Sequence, residues 1–184
     1  MSAIELEQGL TNVLESPRDT GSLEAIFVRP ANNERCTLSE ARLTPEGGID
    51  GDRWATESHP QLPDGTSDTR SQLSLMNARL LRQIAGDDEA MCLAGDNLIV
   101  DFDLGEENLP AGAQLKIGSD AIIELTDQAH TGCSKFARRY GDDARAFVNQ
   151  KDRKLLHLRG RYAKVIHGGV VRTGDQVRKL LAST

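Results

Sequence analysis

The chain has 184 residues, of which 38 % are hydrophobic and 27 % charged, with a formal net charge of −6. This length and balance suit one folded domain and exclude a wholly disordered chain. The acidic total argues against a generic nucleic-acid binder. No run of about 18 apolar residues occurs, which excludes a membrane-spanning helix. The first 20 residues carry Glu5, Glu7 and Glu15 and lack both the basic and the apolar region of a secretory signal, so a cytoplasmic location is expected.

Taken in order, Ala3–Leu14 has loose helical periodicity, and Ser2 followed by Glu5 fits a capping box. Residues 1–20 are therefore expected to be a helical extension before a main domain at 21–184. Beyond Gly21 the texture changes to short strands between turn signals. Strands are expected at 23–28 and 38–44, followed by a glycine-rich turn at 45–53. Residues 56–69, with two prolines and a glycine, read as a surface loop. A strand at 70–75 leads to a helix at 77–85, capped by Asn77 and closed by Gly86. Further strands are expected at 97–100, 114–117 and 121–125, the last two as a hairpin. Helices follow at 134–140 and 142–148. The chain closes with a strand at 161–167, turns at 168–169 and 173–175, and a last strand to Leu181. Many short strands with few helices point to a mainly β, α+β fold, either a barrel or a sandwich with peripheral helices. There is no glycine-rich dinucleotide fingerprint, P-loop, nucleophile elbow or HExxH motif.

The charge is unevenly distributed. Residues 1–129 hold 9 basic and 24 acidic side chains, and residues 130–184 hold 13 basic and 4 acidic. Either folding interleaves the two segments, or the basic one forms a pocket for a small anion. Cys36, Cys92 and Cys133 lie far apart, with neither zinc-site nor disulfide spacing, so a cysteine with a chemical task would act alone. Cys133 stands out. It follows His130-Thr131-Gly132 at the expected start of a helix, with Lys135, Arg138 and Arg139 close by and no acid between them. Helix N–H groups and nearby cations lower a thiol's pKa, suiting it to nucleophilic chemistry or soft-metal ligation. The alternative is a cysteine packed under its helix among solvated arginines. His130 is a candidate acid–base partner, whereas His59, His157 and His167 read as loop, strand or edge residues.

These elements, in this order, resemble the MOSC domain, the C-terminal domain of molybdenum-cofactor sulfurases. The resemblance spans roughly 21–181. It is carried by the Gly21–Val28 strand, Gly48–Arg53, Arg70–Leu75, Gly95–Leu98, the segment 130–139, Arg159–Ala163 and Thr173–Asp175. Where the family often has a histidine after Gly-Asp-Arg, this chain has Trp54. Its usual Gly-Glu-Asn is here Gly95-Asp96-Asn97, and the proline often found before the cysteine is Gly132.

The resemblance implies a stand-alone member with a closed β-barrel of the pyruvate kinase type. It implies that Cys133 carries sulfur as a persulfide or ligates the metal of a molybdenum cofactor. Asp52, Arg53, Arg70, Gln72, Asn97, Lys135 and Arg138 are then expected to bind the cofactor, with His130 a proton donor. Arg70, Lys135 and Arg138 would face its anionic part. A sulfur donor or an electron-transfer protein would be the partner. The competing readings are a cofactor-dependent reductase of N-hydroxylated compounds, fed by an external electron donor, and a barrel that serves only as an interaction module.

Overall fold

The computed structural model describes residues 2–57 and 61–181. The chain runs through α1 (Ala3–Leu14), β1 (Thr20–Val28), β2 (Cys36–Leu38), β3 (Glu40–Thr44), β4 (Gly48–Ile49) and α2 (Trp54–Glu57). Then come β5 (Leu73–Asn77), α3 (Ala78–Ala85), α4 (Asp88–Met91), β6 (Leu98–Asp101), β7 (Gln114–Ile117) and β8 (Ala121–Leu125). It ends with α5 (Ser134–Tyr140), α6 (Asp142–Val148), β9 (Arg161–His167), β10 (Gly169–Arg172) and β11 (Gln176–Leu180). Seven strands close into a mixed barrel in the order β11, β7, β8, β9, β5, β6, β1, and β1 pairs back onto β11. β2 extends the sheet from β1, and β10, β3 and β4 form a separate small sheet. The barrel expectation holds, and closure rules out the sandwich.

Alternation along the strands sorts the apolar residues into two layers. Leu23, Leu73, Leu75, Leu98, Val100, Leu115, Ile123 and Val165 fill the barrel interior. Phe27, Met76 and Ile99, from the opposite faces of β1, β5 and β6, pack outward with Leu6, Leu80, Ile84, Phe136 and Phe147 of the helices. β5 and β6 run parallel, a pairing that requires a long crossover, here α3 and α4. Being buried on both faces, these two strands read as nearly continuous apolar runs. α1 carries the expected Ser2–Glu5 capping box and rests on the same outer layer, with Leu6 fully buried and Gln83 Nε2 donating to the Glu5 carbonyl at 2.6 Å. Asn77 caps α3 by accepting from the Leu80 N–H, and Gly86 closes it.

Several boundaries differ from the sequence reading. The expected strand 38–44 is two strands in two sheets, because the chain bends at Ser39 after pairing with β1. The strand expected from Arg70 begins only at Leu73. Asp68 accepts from the Arg70 N–H and winds Thr69–Ser71 into a 3₁₀ turn. β10 occupies residues between the two expected turns, where β3 supplies a partner that no local pattern announces. The loop 56–69 starts in α2 and contains a Gln61–Ser67 bridge, and His59 lies outside the described residues.

The uneven charge is largely neutralised by folding. Arg153–Glu7, Arg159–Asp96, Arg161–Glu106, Lys164–Glu124, Arg172–Glu40 and Lys179–Asp19 all join the basic segment to the acidic one. One close approach places the residues discussed next. Gly160 has φ +98°, and a Cβ there would lie 2.0 Å from the Leu75 carbonyl oxygen. Only glycine lets β9 start against β5 at this level with Arg159 projecting into the outer layer.

Candidate functional site

Cys133 is the N-cap of α5, in extended conformation at φ −91° and ψ 179°, and it is exposed. Partial burial pushes its thiol pKa up. The backbone N–H groups of Phe136 and Lys135 and the positive field of Arg159 outweigh that effect, and the net shift is downward. The preceding turn is fixed from outside the helix. The Gly132 N–H donates to Asn149 Oδ1 at 2.8 Å, and Asn149 Nδ2 donates to the Gly132 carbonyl at 2.9 Å. A Cβ on Gly132 would come within 3.0 Å of Val148 Cγ2, so α6 leaves room for glycine here.

Behind the cysteine lies a buried polar group. Arg159 Nη1 donates to Asp96 Oδ2 at 2.7 Å and Nη2 to the Ala94 carbonyl at 3.1 Å, and the guanidinium lies 4.8 Å from the centre of the Phe136 ring. Asp96 is fully buried. The His130 side chain is buried as well, with its ring centroid 4.3 Å from that of Tyr162. Burial, aided by Arg159 and Arg29, drives its pKa well below the ordinary value, so the imidazole is neutral. His130 Nδ1 and Asp96 Oδ1 face each other at 3.7 Å, and neither atom has a hydrogen-bond partner among the described residues.

A second network adjoins the first through Gly95 and Asn97. Asp52 accepts from Arg29 Nε at 2.8 Å and Nη2 at 3.0 Å, from the Arg29 and Trp54 N–H groups, and from Asn97 Nδ2 at 3.0 Å. Burial raises the Asp52 pKa, but these donors overcome it and the carboxyl is held below its ordinary value. Asn97 Oδ1 accepts from the Ser74 backbone N–H, and Arg29 Nη1 donates to the Gly95 carbonyl. Arg35, Arg53 and Arg139 gather around this network. The Arg35 pKa is lowered by burial and by the charges of Arg139, Arg29 and Arg53, and its Nε has no partner. These guanidiniums have few carboxylates among them, so the local field is positive.

The expected site residues thus have distinct surroundings. Cys133 and His130 share the field of Arg159, and Asp52 and Asn97 are bonded to each other. Arg53 pairs with Glu57 at 3.2 Å beside the arginine group. Lys135 reaches Asn32 Oδ1 at 3.4 Å and so ties α5 to the segment that follows Arg29. Arg138 is exposed and makes no hydrogen bond or ion pair among the described residues. Arg70 is engaged by Asp68 at 2.7 Å. Gln72 is fully buried, its amide donating to the Pro45 carbonyl and accepting from the Val165 N–H. Sequence reasoning did not assign Arg29, Arg35, Asp96 or Arg159 to the site. For Arg159 and Asp96 the signal was their place in the quoted motifs, while Arg29 and Arg35 carried none. No group of three or more His, Cys, Asp or Glu side chains able to hold a metal occurs among the described residues.

The fold and site are thus a closed barrel with a cysteine of lowered pKa at a helix start, beside Asp–Arg pairs. The MOSC domain family model matches residues 66–178, and the chain belongs to that family. Solved structures share the fold. The YuaD protein from Bacillus subtilis superimposes with a TM-score of 0.60 at 22 % identity, over 86 % of this chain and 94 % of that one. YiiM from Geobacillus stearothermophilus gives 0.57 at 16 % identity, over 88 % of this chain and 75 % of that one. YiiM from Escherichia coli gives 0.54 at 18 % identity, over 89 % and 71 %. A comparison with curated protein sequences gives no match.

Proposed function

We propose that this MOSC protein works through the Cys133 thiolate, which carries sulfur as a persulfide or ligates the metal of a molybdenum cofactor. The observation that carries the reading is an exposed thiol whose pKa is lowered by the first turn of α5 and by Arg159. In the sulfur-carrier step the thiolate attacks the outer sulfur of a donor persulfide. The new S–S bond forms as the donor's S–S bond breaks, and the donor leaves as a thiolate, so one sulfur atom moves without net oxidation. The donor is a partner that bears a persulfide.

The residues also fit the cofactor. With no three-ligand cluster among the described residues, a metal here would bind to Cys133 and bring its remaining ligands with it, as a molybdenum cofactor does. When bound, the cofactor would supply two-electron redox chemistry, and an electron-transfer partner would then be needed. Arg35, Arg53 and Arg139 would face its anionic part, with Lys135 and Arg138 adding charge at the start and end of α5. Asp52 and Asn97 would hold Arg29 in place. Neutral His130 would offer a hydrogen-bonding ring on the Arg159 side of the site. Arg70 would add charge while paired with Asp68, and Gln72 would support the wall through the Pro45 carbonyl and the Val165 N–H.

The experiment is the molybdenum-to-protein ratio of the chain purified from a cofactor-producing host, beside Cys133→Ala. Near-stoichiometric metal that the variant loses is the result expected of a ligand. If neither protein holds metal, a persulfide on Cys133 after exposure to a persulfide donor supports the carrier reading. A chain that shows neither would leave the barrel as an interaction module and overturn the proposal.

A further inference from the structure

We propose that the cavity on the α6 side of the Gly132 turn is a second binding site, for a small organic anion with an apolar body. The cavity has a volume of about 560 Å³ and is walled by residues 126–132, 148–151, 153–155 and 157–159, with Glu106, Ala111 and Arg161 completing it. That is the size of sites that enclose metabolite-sized molecules. Gly132 borders the cavity and Cys133 does not. The cavity thus reaches the turn at Gly132 and shares Arg159 and His130 with the surroundings of the thiol.

Its surface specifies the ligand. Ala111, Ala129, Val148, Leu155 and Leu158 supply apolar area. Leu155 is 66 % exposed, and the body of a ligand would cover it. Most of the charged groups are already neutralised. Arg159 is held by Asp96 and Arg153 by Glu7, at 2.7 and 2.8 Å. Arg161 and His157 share the Glu106 carboxylate at 3.2 and 2.7 Å. Asp127 lies close enough to Arg70 to raise its pKa. Lys151 and Lys154 remain, exposed and without an ion pair among the described residues. Two free ammonium groups beside an apolar hollow favour a carboxylate, sulfonate or phosphate on an aromatic or aliphatic body.

The wall is also built rather than incidental. His157 sits in the left-handed region at φ 48°, rare for a residue other than glycine, and this turn brings its ring to Glu106. The Glu106 N–H donates to the Leu155 carbonyl at 2.8 Å, and Asn149 holds Gly132 from the opposite side. This site does not depend on the chemistry assigned to Cys133.

The probe is 8-anilinonaphthalene-1-sulfonate, an apolar bicycle with one anionic group, titrated by fluorescence against the full chain. Saturable binding of one molecule per chain is expected. The double variant Lys151→Glu/Lys154→Glu should weaken it at least tenfold, and Ala129→Trp, a substitution at an exposed wall position, should abolish it. N-phenyl-1-naphthylamine, the same body without the sulfonate, should bind at least fivefold more weakly. Cys133→Ala should bind like the parent. Circular dichroism and thermal melting check that each variant is folded. Binding that survives both the charge reversal and the tryptophan would overturn the site. Equal binding of the two probes would overturn its preference for anions, and loss in Cys133→Ala would overturn its separateness.

Discussion

At the scale of single residues, the proposed chemistry rests on one thiol and the amide that steadies the turn before it. Alkylation of Cys133 by iodoacetamide as a function of pH should show a midpoint below the value of about 8.5 for free cysteine. A midpoint at or above that value would mean that burial prevails over the α5 N–H groups. Asn149→Ala should move the midpoint up and cost about 1 kcal/mol or less in stability, since the pair of hydrogen bonds is exposed. Asn149→Asp keeps an acceptor for the Gly132 N–H and should restore part of the shift. A purely structural Asn149 would change melting and leave the thiol titration alone. The clamp also depends on the departure at 132, because a proline there would have no N–H to donate. Cys133 was legible in the sequence because it follows a glycine turn at a helix start, but the charge that lowers its pKa comes from Arg159, just before β9, and not from the three cations of α5. Arg29 and Arg35 were not, because an arginine shows nothing of its role until the fold brings Asp52, Gly95 and Arg139 to it.

Among the elements, the tightest junction is at Gly160, where the chain enters β9 against its antiparallel neighbour β5. Gly160→Ala combines a left-handed backbone angle with a Cβ driven into the Leu75 carbonyl. It should destabilise the fold by about 3 kcal/mol or more, read as a fall in the urea midpoint, or prevent soluble folding. A loss under about 1 kcal/mol would mean that β9 can slide away from β5. The elements that were legible carry their own punctuation, such as α1 with its capping box and α3 between Asn77 and Gly86. Those that were missed are defined by partners distant in sequence. β10 exists because β3 runs beside it, and 38–44 divides because its two ends belong to different sheets. The short alternation there fits one strand or two, and only tertiary pairing decides.

For the molecule as a whole, stability should respond to acid in two stages. The His130 pKa, well below the ordinary value, and that of His157, lowered by burial, mean that these rings protonate more readily once the chain unfolds. Their contribution is complete above about pH 6.5. It is lost as the pH falls below that, by up to about 1.4 kcal/mol per pH unit for each histidine. Asp52, Glu24, Glu106 and Glu124, whose pKa values the fold depresses, contribute above about pH 4.5 and fail below it. Urea midpoints between pH 7.5 and 5 should therefore drop before any carboxylate titrates, and His130→Leu should reduce the drop. A flat profile over that range would mean that neither ring is held neutral. The closure of the barrel has a further consequence. Thr20 pairs with Arg178 and Ser22 with Gln176, so the first strand is sealed by the last. During synthesis on the ribosome, β1 and β7 wait as open edges until β11 emerges, and the barrel wall that supports Cys133 stays unclosed until then. Cys133 is therefore made some forty residues before the barrel can close, and in that interval the open edges depend on whatever meets the nascent chain.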